Sequence, residues 1–147
     1  SDAICAALQI INHLQDCAKD YRALDRVYLP LDLLEAHGTD AAALASPRAS
    51  PALRACLRSI ADRTAQLLSE ASKLPLAVED ARLGFETGII VRLAHRLTAL
   101  LMTRDPLSER VHLTKAGAVL QAAQGAVATL AARLTQSSAS SWGGKPR

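Results

Sequence analysis

The chain has 147 residues, of which half are hydrophobic and only 3% are aromatic, and it carries a formal net charge of +3. This length makes one domain with a sizeable core. The few aromatic residues and the dispersed basic residues argue against nucleic-acid binding. The three cysteines form no Cys-x-x-Cys pair, which argues against a disulfide or zinc framework and favours thiols in a reducing, cytoplasmic compartment.

The first predicted element is a helix from about Asp2 to Ala23 with one polar face. At ~100° per residue, four polar side chains fall within a stripe about 80° wide. They are Gln9, Asn12, Asp16 and Asp20. Asp16 and Asp20 are four residues apart and therefore project side by side. A paired carboxylate edge of this kind suits Mg²⁺ that carries a substrate phosphate.

A simpler interpretation of the same face is a helix surface in contact with water. Spacing alone favours this interpretation, because acidic pairs four residues apart are common on surfaces. Two details favour a binding cleft instead. A solvated face usually alternates charge to gain ion pairs, whereas this one sets Asp16 beside Asp20. The helix also runs into an apolar segment that ends at Pro30, which is not typical of a solvent loop.

The rest of the chain is predicted to be helical, so the predicted fold class is all-α. A short helix is expected over 31–36, a second begins after Ser50 with Pro51 at its first position, a third begins near Glu79, and Thr114 caps the last. Its apolar stripe, the predicted buried face, comprises Ala116, Leu120, Ala123, Val127, Leu130 and Leu134. The Ser- and Gly-rich segment 136–147 is predicted to be a disordered tail.

The segment from Ala7 to Pro30 resembles the second aspartate-rich motif of the squalene/phytoene synthase family. In that family an Asn and two acidic residues on one helix precede an Arg-x-Tyr-x-Pro type element, which Arg26, Tyr28 and Pro30 match here. The variant Asn-His-Leu-Gln-Asp-Cys-x-Lys-Asp-Tyr is most similar to the branch that makes hydroxysqualene in bacterial hopanoid biosynthesis. The resemblance extends over residues 1 to about 130.

This resemblance implies that residues 1–135 form the C-terminal portion of an isoprenoid-synthase-type helical domain. Family members carry two aspartate-rich motifs on facing helices, and this sequence has only the second. We therefore expect a complementary N-terminal half, and we expect the 147 residues alone to be inactive. This sequence is less acidic than the family pattern at one position, because Lys19 stands where an acidic residue often precedes the final Asp.

The resemblance also implies an activity and a role for each matched residue. The substrate would be a prenyl diphosphate, and in the hydroxysqualene branch presqualene diphosphate, which ionises with the help of Mg²⁺ and is trapped by water. The implied roles are metal binding for Asp16 and Asp20, substrate binding for Gln9, Asn12, Lys19 and Arg22, and catalysis for Arg26 and Tyr28. For Lys19 and Arg22, ordinary helix-surface cations are an equally good interpretation.

Two rival functions stay open at this point. One is a different reaction of the same family, the head-to-head condensation of two prenyl diphosphates to presqualene diphosphate, squalene or phytoene. The other is a non-catalytic helical interaction module or remnant. Arg92, His95 and Arg96 interrupt the most apolar stretch, Phe85 to Met102, which argues against a membrane span. The greasy substrate implied by the resemblance still leaves room for peripheral membrane contact.

Overall fold

The computed structural model describes residues 2–141, with side chains through residue 135. Within these residues every regular element is helical, so the predicted all-α fold class is confirmed. The helices are α1 (Asp2–Leu24), α2 (Leu31–Ala36), α3 (Pro51–Ala71), α4 (Leu74–Ala77), α5 (Ala81–Thr103) and α6 (Lys115–Ser141), and a 3₁₀ turn spans Ala41–Ala45. None of these helices combines the length and the hydropathy that crossing a membrane requires.

Side-chain caps fix the starts of three helices. The Ser50 hydroxyl accepts a hydrogen bond at the start of α3, where Pro51 occupies the first position. Thr114 caps α6 in the same way. Both caps were predicted from the sequence and are confirmed, since such residues satisfy backbone N–H groups that have no partner inside the helix. The start of α5 is corrected slightly, because Asp80 is its N-cap and the helix begins at Ala81.

Three long helices, α1, α3 and α5, enclose the main core. Ile11 and Leu14 of α1 lie against Leu53 and Leu57 of α3, and Leu101 of α5 completes the contact; all five are at most 2% exposed. These residues recur at three- and four-residue intervals, so each helix turns one apolar stripe inward. The core therefore holds α1 by one face and leaves its opposite, polar face outward.

Helix α6 packs on α5 through small residues. Gly88 and Gly125 approach so closely that a Cβ added to Gly125 would lie 3.1 Å from the Gly88 carbonyl oxygen. Thr129 is buried beside them and donates to the Gly125 carbonyl oxygen. The predicted buried face of α6 is therefore wrong, since its bulky apolar residues such as Val127 and Leu130 are exposed. Small residues let the two backbones meet at short range, and this close packing determined the buried face.

The end of α6 differs from the predicted tail. The helix continues to Ser141, so residues 136–141 are helical where the sequence pattern predicts disorder. No Gly or Pro lies between Gly125 and Gly143, and Gln, Ser and Ala are tolerated in helices. The remainder of the predicted tail, residues 142–147, lies outside the described residues.

Candidate functional site

The polar face of α1 is the surface to which the predicted site residues belong. Gln9 and Asn12 are exposed, and Asp16 and Asp20 further along the same face are half-buried. On the opposite side of the helix, residues such as Cys17 are buried in the core. Packing of the apolar side thus orients the four polar side chains away from α3 and α5. The sequence prediction that these side chains share one outward face is confirmed by the helix geometry.

Asp16 and Asp20 form the acidic edge of this face. Among the residues that the structure describes, no group of three or more His, Cys, Asp or Glu side chains could enclose a metal ion. Mg²⁺ differs from metals that need a full protein cage, because it keeps several waters and is bound through one or two carboxylates together with substrate phosphates. Two oxygen donors one helical turn apart fit that requirement. They would supply part of a magnesium site.

Lys19 accompanies the acidic edge, and its Nζ lies 3.9 Å from an Asp16 carboxylate oxygen. Both side chains are substantially exposed, so this ion pair adds little to stability. The contact agrees with the interpretation of Lys19 as a surface cation. It also places a positive charge beside the Asp16 carboxylate.

A cleft of about 440 Å³ separates α1 from the segment that follows α5. Asp16, Lys19 and Arg22 line it on the α1 side, and Glu109, Arg110 and His112 line it on the other side. The cleft thus carries more positive than negative charge around a single edge of α1. An anionic ligand would find several cationic side chains here.

Gln15 of α1 connects the two sides of this cleft. Its amide Nε2 donates to the Val111 carbonyl oxygen and lies 3.5 Å from Nδ1 of His112. No role was predicted for Gln15 or His112, and the resemblance covered Arg110 without assigning it a function. The contacts join positions about 96 residues apart, and no local spacing signals such a pairing.

Arg22 is partly committed to the fold. Its guanidinium donates a 2.6 Å hydrogen bond to the Ser46 carbonyl oxygen, just after the 3₁₀ turn. This bond ties the C-terminal end of α1 to the turn. Arg22 also lines the cleft with Asp16. Its bond to Ser46 is a structural contact, and its contact with a substrate stays a prediction.

Arg26 and Tyr28 meet just beyond α1. The Arg26 guanidinium donates to the Tyr28 hydroxyl at 3.2 Å, and this bond raises the pKa of Arg26, with a smaller contribution from Asp20. Asp25 has a left-handed backbone, φ 51°, which Asp tolerates better than most residues. The chain turns back at this point, and Leu29 becomes buried while Arg26 stays exposed.

Tyr28 is held by His13, a residue to which the sequence assigned no definite role. The two rings stack with their centroids 4.2 Å apart. Both rings line a depression of about 230 Å³ whose other walls include Ile10, Leu33 and Ile60. Of the predicted site residues, Asp16, Lys19 and Arg22 line the cleft, whereas the Arg26–Tyr28 pair lies beyond the end of α1. Asp20 lies between these two groups in the sequence and acts electrostatically on Arg26.

Comparisons with known proteins agree with these features. Hydroxysqualene synthase of Rhodopseudomonas palustris is 55% identical over 113 residues, which are 77% of this chain and 39% of that protein. Hydroxysqualene synthase of Zymomonas mobilis is 50% identical over 116 residues, 79% of this chain and 39% of that protein. Phytoene synthase of Thermus thermophilus is 41% identical over 64 residues, 44% of this chain and 22% of that protein.

These alignments leave most of each relative unmatched, since the chain spans about two fifths of the length of the two hydroxysqualene synthases. No solved structure matches the chain significantly. A sequence model described as squalene/phytoene synthase matches residues 1–117, which include α1 with its acidic edge, the Arg26–Tyr28 pair and the segment that closes the cleft. The chain belongs to the squalene/phytoene synthase family.

Proposed function

We propose that this chain is part of a magnesium-dependent isoprenoid synthase that converts presqualene diphosphate to hydroxysqualene. The observation that carries the proposal is the pair Asp16 and Asp20 on the outward face of α1, beside a cleft rich in cationic side chains. The identity to two hydroxysqualene synthases supports the choice of reaction.

The reaction requires the substrate diphosphate to leave with the electron pair of its C–O bond. The remaining carbocation rearranges, a water molecule forms a new C–O bond to it, and that water loses a proton. Bound Mg²⁺ would neutralise charge on the departing diphosphate. Asp16 and Asp20 would hold the ion by their carboxylates, and the amides of Gln9 and Asn12 would donate hydrogen bonds to the diphosphate or its waters.

The cations around the cleft would position the diphosphate. Lys19 and Arg22 on α1 face Arg110 across the opening, so a diphosphate bound at Asp16 would have positive charge on two sides. Arg26 stays fully charged in its bond with Tyr28 and lies within electrostatic reach of Asp20. The Arg26–Tyr28 pair would then contact the diphosphate from the end of α1, or close the pocket above it.

The described residues provide one acidic edge and not a complete cage. The other ligands, and the apolar walls that protect a carbocation from stray water, would come from the part of the protein that this chain does not represent. We therefore propose that the 147 residues alone do not catalyse the reaction. A lack of activity in this chain would follow from the incomplete site and not from misfolding.

A second candidate reaction is the condensation of two prenyl diphosphates. The match to Thermus thermophilus phytoene synthase favours it, although over a shorter stretch and at lower identity than the hydroxysqualene synthases. The acidic edge would serve either reaction, since both release diphosphate from a prenyl substrate. The choice between them depends on the shape of the apolar pocket.

Product analysis on the full-length gene product separates the two reactions. Incubation with presqualene diphosphate and Mg²⁺ should yield hydroxysqualene and diphosphate, and farnesyl diphosphate alone should be left unchanged. Consumption of farnesyl diphosphate to a cyclopropyl product would assign the protein to the condensation reaction. Turnover in the presence of excess chelator equal to that with Mg²⁺ would contradict the metal-dependent proposal.

A further inference from the structure

Gln15 and His112 meet across the cleft, and the proposed reaction gives neither of them a step. Gln15 lies on α1 beside Asp16, and His112 lies in the segment between α5 and α6. Both side chains line the cleft, where Gln15 is half-buried and His112 is exposed. Their contact makes the state of the imidazole depend on the amide that faces it.

The first contact of Gln15 fixes the orientation of its amide. The side-chain nitrogen Nε2 donates to the backbone carbonyl oxygen of Val111. Val111 is only 1% exposed and belongs to the main core, so this oxygen is held in place. A carbonyl oxygen accepts hydrogen bonds and does not donate them. The nitrogen of the Gln15 amide must therefore face Val111, and the amide oxygen must point elsewhere.

The second contact of Gln15 sets the position of the proton on His112. The same Nε2 atom lies 3.5 Å from Nδ1 of His112, and it has a second N–H for that contact. Because an amide nitrogen only donates, Nδ1 is the acceptor. A neutral imidazole has one donor nitrogen and one acceptor nitrogen, so the proton of His112 lies on its own Nε2.

This Nε2–H group is available to a ligand. Among the residues that the structure describes, none forms a hydrogen bond with Nε2 of His112. The ring itself lines the cleft. A donor that has no protein partner and belongs to a wall of the cleft can bind an acceptor that enters there.

The charges of the cleft favour an anionic acceptor. Three cationic side chains line it: Lys19, Arg22 and Arg110. Its two carboxylates each have a cation nearby, since Asp16 lies 3.9 Å from Nζ of Lys19 and Glu109 lies 3.9 Å from a guanidinium nitrogen of Arg104. A neutral N–H donor among these cations adds a directed hydrogen bond to their attraction for an anion.

We propose that His112 binds the substrate diphosphate through a hydrogen bond from its Nε2–H, and that Gln15 is the positioning residue that keeps the proton on this nitrogen. The bond would reach the diphosphate from the segment after α5, opposite Asp16 on α1. This assignment rests on the proposed function, because its ligand is the diphosphate of that reaction.

The binding of inorganic pyrophosphate tests the contact without turnover. Isothermal titration calorimetry at pH 8 measures the affinity of the full-length gene product in the presence of Mg²⁺. His112→Phe keeps a ring but removes the donor, so its affinity should fall about tenfold. His112→Gln places an amide N–H near the position of Nε2, and its affinity should stay within about threefold of that of the unmodified protein.

The matched control is His37→Phe, which makes the same change at the end of α2, in a histidine that does not line the cleft. It should bind pyrophosphate like the unmodified protein. Circular dichroism of His112→Phe and His112→Gln should show unchanged helix content, because the substituted side chain is exposed.

The role of Gln15 has a readout of its own. The ¹⁵N NMR signals of the His112 ring are identified by their absence from the spectrum of His112→Phe. At pH 8 they should show a protonated Nε2 and an unprotonated Nδ1. Gln15→Met keeps a side chain of similar length but removes the donor, so part of the population should then carry the proton on Nδ1.

Three results would overturn this assignment while leaving the proposed function intact. They are equal pyrophosphate affinity in His112→Phe and the unmodified protein, an equal loss in His112→Gln and His112→Phe, and ring signals that place the proton on Nδ1 in the unmodified protein. Failure of the proposed function itself would look different. The unmodified protein would then show no Mg²⁺-dependent binding of pyrophosphate, which would overturn both.

Discussion

The imidazole ring of His13 stacks on the phenol ring of Tyr28, with centroids 4.2 Å apart and planes inclined by 18°. The stack holds the segment after α1 against the side of that helix. It thereby fixes the Tyr28 hydroxyl where Arg26 donates to it. A ring contact on α1 thus positions a guanidinium that lies within electrostatic reach of Asp20.

Substitution at Tyr28 should separate the two roles of its side chain. Tyr28→Phe keeps the stack on His13 but removes the acceptor for Arg26, so turnover of the full-length product should fall while its thermal stability is unchanged. Tyr28→Leu removes the stack as well, which should lower the free energy of unfolding by about 0.5–1.5 kcal/mol. Steady-state kinetics and thermal denaturation measure the two effects. Full activity in Tyr28→Phe would show that the hydroxyl has no part in the reaction.

The α5–α6 contact should respond sharply to a single added methyl group. A Cβ at Gly88 would lie 2.1 Å from the Thr129 hydroxyl oxygen, so Gly88→Ala must displace a buried, hydrogen-bonded side chain. The strain of about 1–3 kcal/mol outweighs the gain of up to about 1 kcal/mol in helix propensity. Urea denaturation should therefore show a net loss of stability.

A double-mutant cycle identifies the cause of that loss. Thr129→Ala removes the obstructing hydroxyl, so the double variant Gly88→Ala/Thr129→Ala should be more stable than the sum of the single changes predicts, by at least about 1 kcal/mol. Simple additivity of the two substitutions would contradict the close contact described here.

How far the sequence predicted the structure differs between the two ends of the chain. At the start, a polar stripe on an apolar helix specified which face of α1 points outward, and residues such as Asp16 and Asp20 lie as the spacing predicts. In α6 the same logic was wrong, because Gly125 and Thr129 form the contact face and Val127 is exposed. Hydrophobic periodicity identifies a face that needs a partner. It does not reveal that small residues allow the opposite face to pack more closely.

The cleft beside α1 was beyond sequence reasoning for a different reason. Gln15 reaches Val111 and His112 only because the chain returns through α3 and α5 to the side of α1. Long-range contacts of this kind leave no periodic signal. The resemblance to a family motif singled out Asp16, Lys19 and Arg22 on one wall of the cleft, and the structure added Arg110 and His112 on the other.

The three cysteines should react very differently with alkylating reagents. Cys5 is exposed, whereas Cys17 and Cys56 are buried. Burial raises the pKa of Cys17 to about 11 and also raises the pKa of Cys56. Because the thiolate is the reactive form, iodoacetamide at pH 8 should modify Cys5 rapidly and the two buried thiols only after denaturation. Mass spectrometry of the labelled protein measures the order, and rapid labelling of Cys17 in the folded state would contradict its burial.

The raised pKa of Cys17 also predicts a pH dependence of stability. In the unfolded chain this thiol ionises near its ordinary value of 9.0, whereas in the folded protein it keeps its proton until about pH 11. The unfolded state therefore loses a proton first, and stability should fall between pH 9 and 11 by on the order of 2 kcal/mol. Urea denaturation at pH 8 and 10.5 should show this loss. The Cys17→Ala variant should show a smaller loss, and an equal loss would assign the effect to other groups.

The central claim is that Asp16 and Asp20 bind the magnesium ion that activates a substrate diphosphate. The most direct test is the turnover of presqualene diphosphate by the full-length gene product carrying Asp16→Asn or Asp20→Asn. Asp62→Asn is the matched control, since Asp62 is an exposed aspartate of α3 whose partner is Gln66.

We predict that each of the two α1 variants loses more than about 100-fold in turnover, beyond the range typical of groups that only support a metal ligand. Their thermal stability should match that of the unmodified protein, and Asp62→Asn should keep full activity. Retained turnover in Asp16→Asn and Asp20→Asn, or a loss of activity that only follows a loss of folding, would contradict the claim.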